Sequence, residues 1–183
     1  MISPLPRARS TSFPLDDGAT LIDFKGETSA YNVQVAETLT GAEVVFQNVY
    51  SYWNALRGDR ATCSRAEIDP IEMRDVLTHL VLLDISSDPF DGVFCLAGSD
   101  VEQGYGFPLT NLALSQIWAS QDAFVIGEYQ KVVAGSLPRF SINSSVNAHQ
   151  VVKKISRLLC PLSSDGFSVD AILGAVIFEN AAN

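Results

Sequence analysis

The strongest nucleophiles in the sequence are three cysteines, which lie far apart at Cys63, Cys95 and Cys160. A catalytic thiol needs a nearby base or positive charge to lower its pKa. Cys95 and Cys160 lie in apolar runs, where a thiol pKa rises, and neither His79 nor His149 has a suggestive position. We therefore predict no catalytic residue here, and the odd number of unpaired cysteines indicates reduced thiols.

The same residues do not have the spacing of a metal or cofactor site. A structural zinc ion needs four converging ligands, and the cysteines form no C-x-x-C pair. His79 is a candidate haem ligand or pH switch, but a single histidine near a strand start more commonly has a structural role. The nucleophile elbow, the P-loop, the dinucleotide fingerprint and a flavin-type Asn-Cys-Arg motif do not occur. The sequence predicts no metal, no cofactor and no enzyme, and leaves cofactor-binding residues unassigned.

A group of charged residues follows the first strongly predicted helix. Arg57, Arg60 and Arg65 alternate with Asp59 and Asp69 in this region. They have two interpretations, a contact for an anion or partner and a structural network of ion pairs. The structural interpretation is favoured, because ion pairs commonly serve packing and caps.

The charge distribution restricts the partners. There are 12 basic and 21 acidic residues, a net charge of −9, and the pI is near 4.5. Generic binding to nucleic acid or an anionic membrane needs a basic surface, so both are excluded as expectations. Residues 75–130 contain eight acidic side chains and no lysine or arginine. This stretch is either a face that selects a basic partner or a solvated surface, and solvation is the simpler explanation.

A further group of aromatic, apolar and soft residues is expected to face the interior between sheet and helices. It forms either the lining of a ligand pocket or a filled core, and a filled core is the commoner use of aromatic residues. The candidate pocket residues are Phe94, Leu96, Trp118, Phe124, Tyr129 and Cys160.

These residues belong to a chain of 183 residues that is 47% apolar, which suits one domain of ordinary size or one domain with an appendage. Residues 1–29 are rich in Pro, Ser and Thr and predict a flexible tail without a secretory h-region. We predict an N-terminal extension over residues 30–60, with a short strand from Tyr31 and a helix, and the main domain over residues 61–179. The longest clean apolar run, Ala171–Phe178, is far shorter than the ~20 residues of a membrane helix.

The helix of the extension is predicted over Gly41–Arg57. Thr40 and Glu43 have the spacing of a capping box, and Gly58 can end the helix. Its apolar residues are too many for one stripe, which predicts that some are covered by a second copy of the chain. The interface candidates for this homodimer are Val45, Phe46, Val49, Tyr50 and Trp53.

The remaining elements have an α+β order. Asp69-Pro70 begins a short helix with Ile71, Val76 and Leu77 inward, and a helix from Ser120 ends at Gly135. Weakly helical pieces separated by glycine and proline occupy the region between the second strand and that helix. Strands are predicted over His79–Ile85, Phe90–Leu96, Pro138–Val146, Val151–Leu162 and Val169–Phe178. The order of elements favours an antiparallel sheet over a nucleotide-binding βαβ fold.

Several segments together resemble a PAS-domain family of short, single-domain bacterial proteins. The resemblance covers about residues 45–178 and implies a five-stranded antiparallel sheet with helices packed on one face, preceded by an N-terminal helix. The segments that carry it are Tyr52–Arg60, Ser64–Pro70, Leu80–Asp84, Leu96–Gly98 and Leu158–Gly174.

The resemblance implies a non-catalytic sensory or regulatory domain that acts through protein–protein contacts in signal transduction and is gated by a small ligand. We expect a cytoplasmic homodimer with an unidentified signalling protein as partner. The alternatives are a small-ligand-binding enzyme or carrier, which would need a polar pair inside its pocket, and a purely structural dimer module. The sequence offers no obvious pair of that kind.

Overall fold

The computed structural model describes residues 43–118, 123–146 and 152–180. The predicted tail, the strand from Tyr31 and the cap at Thr40 lie outside these residues. The described residues form four α-helices, two 3-10 segments (Arg65–Glu67 and Pro70–His79) and five strands. The helices and strands are α1 (Val44–Arg57), β1 (Leu80–Ser87), β2 (Phe90–Ala97), α2 (Ser99–Tyr105), α3 (Leu114–Ile117), α4 (Ala123–Gly135), β3 (Arg139–Val146), β4 (Val152–Leu162) and β5 (Ala171–Asn180).

The five strands form one antiparallel sheet in the order β2-β1-β5-β4-β3, as predicted. Three hairpin-type pairings join neighbours along the chain, and the pairing of β1 with β5 brings the two halves together. The last strand therefore lies in the middle of the sheet, where it pairs on both sides. Its residues from Ala171 to Val176 are all buried, which explains the continuous apolar run in its sequence.

Helices cover the two faces of the sheet differently. Helix α1 and the segment Pro70–His79 pack on one face, here called the α1 face, against residues such as Leu158 and Leu173. Helices α2, α3 and α4 pack on the other, here called the inner face, against Val81, Leu159 and Val176. The predicted fold, a sheet with helices packed on one face and a helix N-terminal to the sheet, is confirmed. That N-terminal helix, α1, covers the second face of the sheet.

The apolar stripe of α1 is used inside the chain. Phe46, Val49, Tyr50 and Trp53 are all buried against the α1 face, and Val45 is half-buried. Their spacing of i, i+3, i+4 and i+7 is that of a single stripe, so one sheet suffices to cover it. The interface predicted from these residues is corrected accordingly, because their side chains are already occupied by the core of their own chain.

The segment after α1 departs from the predicted helix. Asp69 accepts a hydrogen bond from the Ile71 N–H at 2.9 Å, as an N-cap should. The segment is nevertheless a 3-10 structure with non-helical dihedrals at Met73, and Met73 and Val76 are its buried residues. The prediction that Ile71 faces inward is wrong, since the tighter winding leaves this side chain 71% exposed.

Candidate functional site

An aromatic cluster lies on the inner face, where the C-terminal ends of α2 and α3 meet the sheet. Tyr105 is at its centre, with its ring centroid 4.8 Å from that of Phe178 and 5.6 Å from that of Trp118. Trp118 in turn lies 6.2 Å from Phe94 and 6.4 Å from Tyr129. The two contacts of Tyr105 are edge-to-face and the other two are tilted, and the rings fill this part of the interior in the conformation described.

Glycine sets the distance between α2 and the sheet. A Cβ atom on Gly104 would lie 2.1 Å from the Phe178 ring, so only glycine allows the helix to pack this closely on β5. The Lys153 ammonium on β4 donates to the Gly104 carbonyl at 3.1 Å and lies 5.8 Å from the Phe178 ring centroid. Gly106 then ends α2 in the left-handed conformation, with φ of 86°.

Side chains fasten the segment that carries Trp118. The Asp91 carboxylate on β2 accepts hydrogen bonds from the Ser115 hydroxyl at 2.5 Å and from the Ser115 N–H at 3.1 Å. The Glu102 carboxylate on α2 accepts from the Leu109 N–H at 2.9 Å. These bonds hold a stretch that contains only a seven-residue and a four-residue helix.

Two buried charged groups lie beside the aromatic cluster. Arg157 on β4 is 1% exposed, and its guanidinium donates to the Tyr105 hydroxyl at 3.1 Å and, at 3.4 Å, to the side-chain oxygen of Asn143. Glu128 on α4 is also 1% exposed, and its carboxylate accepts from Arg139 at 3.0 Å and from Lys131 at 3.2 Å. Burial raises the pKa of the nearby Tyr129 hydroxyl, so Tyr129 stays neutral.

The predicted pocket residues divide between the two faces. Phe94, Trp118 and Tyr129 come together on the inner face. Leu96 and Cys160 lie on the α1 face, which removes them from this site. Leu96 lies on the α1 face because the β1–β2 pairing has a one-residue irregularity at Leu82/Leu83. This irregularity places Phe94 and Leu96 on opposite faces of the sheet. The side chain of the sixth candidate, Phe124, lies outside the described residues.

The sequence reasoning missed Arg157, Tyr105 and Glu128. Arg157 alternates with Ile155 and Leu159 along β4, so it occupies a core-facing position of the strand. The sequence did contain one indication of this site, namely a charged residue at a strand position whose neighbours two residues away are apolar and buried. Long charged side chains are almost never fully buried without a partner, so its position calls for an explanation.

The charged cluster after α1 is a structural network. Arg60 pairs with Glu67 at 2.7 Å, and Arg65 pairs with Asp84 on β1. Arg57 donates to the Asn54 side chain and lies 5.3 Å from the Trp53 ring centroid. Among the described ion pairs neither Asp59 nor Asp69 takes part, so the predicted pairing of the arginines with these two residues is corrected. The physical reason is that Glu67 and Asp84 are nearer in space.

Acid titration should reveal two carboxylates, Glu67 of this network and Asp165 in the turn between β4 and β5. Hydrogen bonds from Arg60 and from the Ser64 N–H lower the pKa of Glu67 to about 2. Backbone N–H groups of Ser168 and Phe167, with the Ser163 hydroxyl, lower that of Asp165 to about 2. A lowered pKa adds stability above the unfolded-state pKa of about 4, and this stability is lost as the pH falls through the folded-state value.

We therefore expect a melting temperature that changes little above about pH 5 and falls between about pH 4 and pH 2. The double variant Glu67→Gln/Asp165→Asn should flatten this fall, as followed by circular dichroism at each pH. If the melting temperature of the double variant falls as steeply with pH as that of the wild type, Glu67 and Asp165 are not the carboxylates responsible.

The thiols and histidine have no catalytic surroundings among the described residues. Burial raises the pKa of Cys63 to about 11 and that of Cys160 well above its ordinary value. His79 lies 3.5 Å from the Asp100 carboxylate. The described residues contain no group of three or more His, Cys, Asp or Glu side chains able to hold a metal ion. The described part of the chain also has no helix that is long and apolar enough to cross a membrane.

The described elements form a five-stranded antiparallel sheet with α1 on one face and three helices on the other. The sequence pattern of the PAS domain matches residues 43–177, about three quarters of the chain. The chain belongs to the PAS domain family. The predicted family is thereby confirmed, and PAS domains are generally sensory domains that commonly dimerise and mediate protein interactions.

The solved structures to which the chain is similar include LOV and PAS domains. The crystal structure of a Rhodobacter sphaeroides LOV protein has a TM-score of 0.46 and 12% identity, over 63% of this chain and 71% of that one. The PAS domain of Bordetella pertussis BvgS has a TM-score of 0.38 and 17% identity, over 62% and 87%. The light-state structure of the blue-light photoreceptor Aureochrome1 LOV has a TM-score of 0.40 and 9% identity, over 57% and 83%. No curated protein matches the chain.

Proposed function

We propose that this protein is a non-catalytic sensory or regulatory domain whose inner face receives a small ligand. The observation that carries the proposal is the aromatic cluster in which Tyr105, at the end of α2, and Trp118, just after α3, pack with Phe178 of the sheet. Ligand sites in proteins are mostly apolar and aromatic with few polar groups, and the inner face has this composition. Because the rings fill the space in the conformation described, a ligand enters only when α2 and α3 move away from the sheet.

The output is proposed to pass through protein contacts. Exposed acidic side chains such as Asp75, Asp88 and Asp100 favour a partner with a basic surface. A homodimer is proposed as well, now through the outer stripe of α1, where Val44, Asn48, Ser51 and Ala55 are exposed. A wild-type monomer in light scattering at high concentration would contradict the homodimer. A cytoplasmic location is supported by three unpaired cysteines.

Hydrogen exchange tests whether the inner face opens. We expect amides between Gly98 and Trp118 to exchange faster than those of β5, because short helices open at a lower free-energy cost than a strand paired on both sides. Native mass spectrometry of the protein from its own host should detect a retained small molecule. If the amides of both segments are equally protected from exchange, ligand sensing is contradicted and a purely adaptor role is favoured.

Trp118 is the optical probe for the same event. Its fluorescence should respond to an apolar or aromatic ligand, with Trp53→Phe used to remove the other tryptophan signal. Trp53 donates to the Pro161 carbonyl at 2.9 Å, so the fold of that variant is verified by circular dichroism first. A Trp118 signal unaffected by a ligand that binds by calorimetry would place the ligand outside the aromatic cluster.

A further inference from the structure

Arg157 is a buried cation without a carboxylate partner. Among the described residues no carboxylate forms an ion pair with it, and its hydrogen-bond partners are the neutral Tyr105 hydroxyl and Asn143 amide. Its Nε atom is the one buried side-chain nitrogen or oxygen of the described residues that has no hydrogen-bond partner. A buried charge normally requires an oppositely charged partner, because transferring the charge from water to the protein interior costs roughly several kcal/mol.

The carboxylate of Glu128 favours the charged guanidinium through its field, but no described carboxylate is hydrogen-bonded to Arg157. Glu128 is buried nearby, but its carboxylate oxygens are taken by Arg139 and Lys131. Lys153 contributes another cation to the same face of β4 and is bonded to a neutral carbonyl. The inner face therefore holds more positive than negative charge, in a protein whose net charge is −9.

We propose that Arg157 binds the carboxylate of a small apolar or aromatic monocarboxylic acid on the inner face. This inference rests on the proposed function and names the class of ligand. The free Nε–H and the remaining guanidinium protons suit a carboxylate, which accepts two parallel hydrogen bonds from arginine. The Tyr105 hydroxyl accepts from Arg157 and keeps its own proton to donate. The rings of Tyr105, Trp118 and Phe178 would contact the apolar part of the acid.

Matched acids and amides test the proposal. Calorimetry would use 3-phenylpropionate, indole-3-propionate and octanoate, each beside its amide, which has nearly the same shape without the charge. We expect at least one acid to bind the wild-type protein about tenfold or more tightly than its amide, as suits hydrogen bonds to charged groups. The preference should fall to about onefold in Arg157→Met and be intermediate in Arg157→Lys, which keeps the charge but not the planar fork.

Stability without ligand provides a second readout. Because the guanidinium is incompletely paired, the unliganded Arg157→Met protein should melt at or above the wild-type temperature. A structural arginine would behave differently: the methionine variant would melt lower, and the wild-type protein would bind acids and amides equally. If Arg157→Met fails to fold, Arg157 is a structural residue and the proposal is overturned. The acid-to-amide ratio of the wild-type protein then shows only whether a carboxylate is preferred by some other group.

The outcomes separate this inference from the proposed function. Equal binding of acid and amide would overturn the carboxylate assignment and leave ligand sensing intact. Absence of binding for all six probes at millimolar concentration, with fast exchange between Gly98 and Trp118, would also overturn the assignment alone. The same absence with that segment as protected as β5 would overturn both.

Discussion

Gly98→Ala should destabilise the protein by at least about 3 kcal/mol and lower its melting temperature by roughly 10 °C. A Cβ atom at this position would lie 2.2 Å from the carbonyl oxygen of Thr78 and 2.4 Å from that of Leu77. Both are backbone atoms at the end of a 3-10 segment, so neither can rotate away as a side chain would. The Gly98 N–H also donates to the Leu80 carbonyl at 2.8 Å, which fixes its position at the start of β1.

Gly127→Ala is the matched control for this substitution. Gly127 lies inside α4, and a Cβ atom there would meet no atom within 4 Å. The same chemical change should therefore stabilise the protein by about 0.5–1 kcal/mol, because alanine has the higher helix propensity. Thermal unfolding of both variants measures the two effects, and a Gly98→Ala protein as stable as the wild type would refute the close packing.

The clash at Gly98 gives a physical reason for one segment of the family resemblance. Leu96-Ala97-Gly98 ends β2 where α2 begins, and glycine allows this turn to touch the end of the segment Pro70–His79. Arg65 is another such case, since it reaches Asp84 on β1 across 19 positions of the chain. Sequence similarity indicated that these residues belong together, but the contacts that join them depend on the tertiary fold.

Strand periodicity predicted the sheet well and the two faces less well. The run Leu158–Leu162 is apolar throughout because both faces of β4 are covered, so alternation could not assign Cys160 to the α1 face. The irregularity beside Leu96 reverses the direction of its side chain, and sequence alone does not reveal it. The α1 stripe was misassigned for a related reason, since a sequence does not show that the sheet presents a second face to cover.

The charged site on the inner face was hidden for a different reason. Glu128 and Arg139 are 11 positions apart on different elements, and their contact forms only when α4 packs beside β3. In the sequence Glu128 counted among eight acidic residues assigned to a solvated surface. The structure instead buries this carboxylate completely, so its contribution to stability differs from that of exposed residues such as Asp75 and Asp88.

Replacing the exposed partner of Glu128, in Lys131→Met, should have little effect and serves as the control for a substitution of Glu128 itself. Lys131 also bonds Glu128, at 3.2 Å, but its side chain is 52% exposed. Water replaces most of what this contact supplies, so the expected loss is at most about 0.5 kcal/mol. Comparable losses in Lys131→Met and in a variant at Glu128 would show that the buried ion pair has no special role.

Glu128→Gln should destabilise the protein by about 3–5 kcal/mol in chemical denaturation, because it leaves buried cations without an anion. The glutamine has nearly the same shape, so the change removes charge rather than volume. Arg139, whose side chain is 11% exposed, loses its counter-charge directly, and the nearby guanidinium of Arg157 loses the stabilising field of the same carboxylate. Adding Arg157→Met to Glu128→Gln removes one of the two cations and should restore part of the loss, which a double-mutant cycle measures. Strictly additive effects would mean that Glu128 and Arg157 do not interact, and would remove the charge argument that links α4 to the inner face.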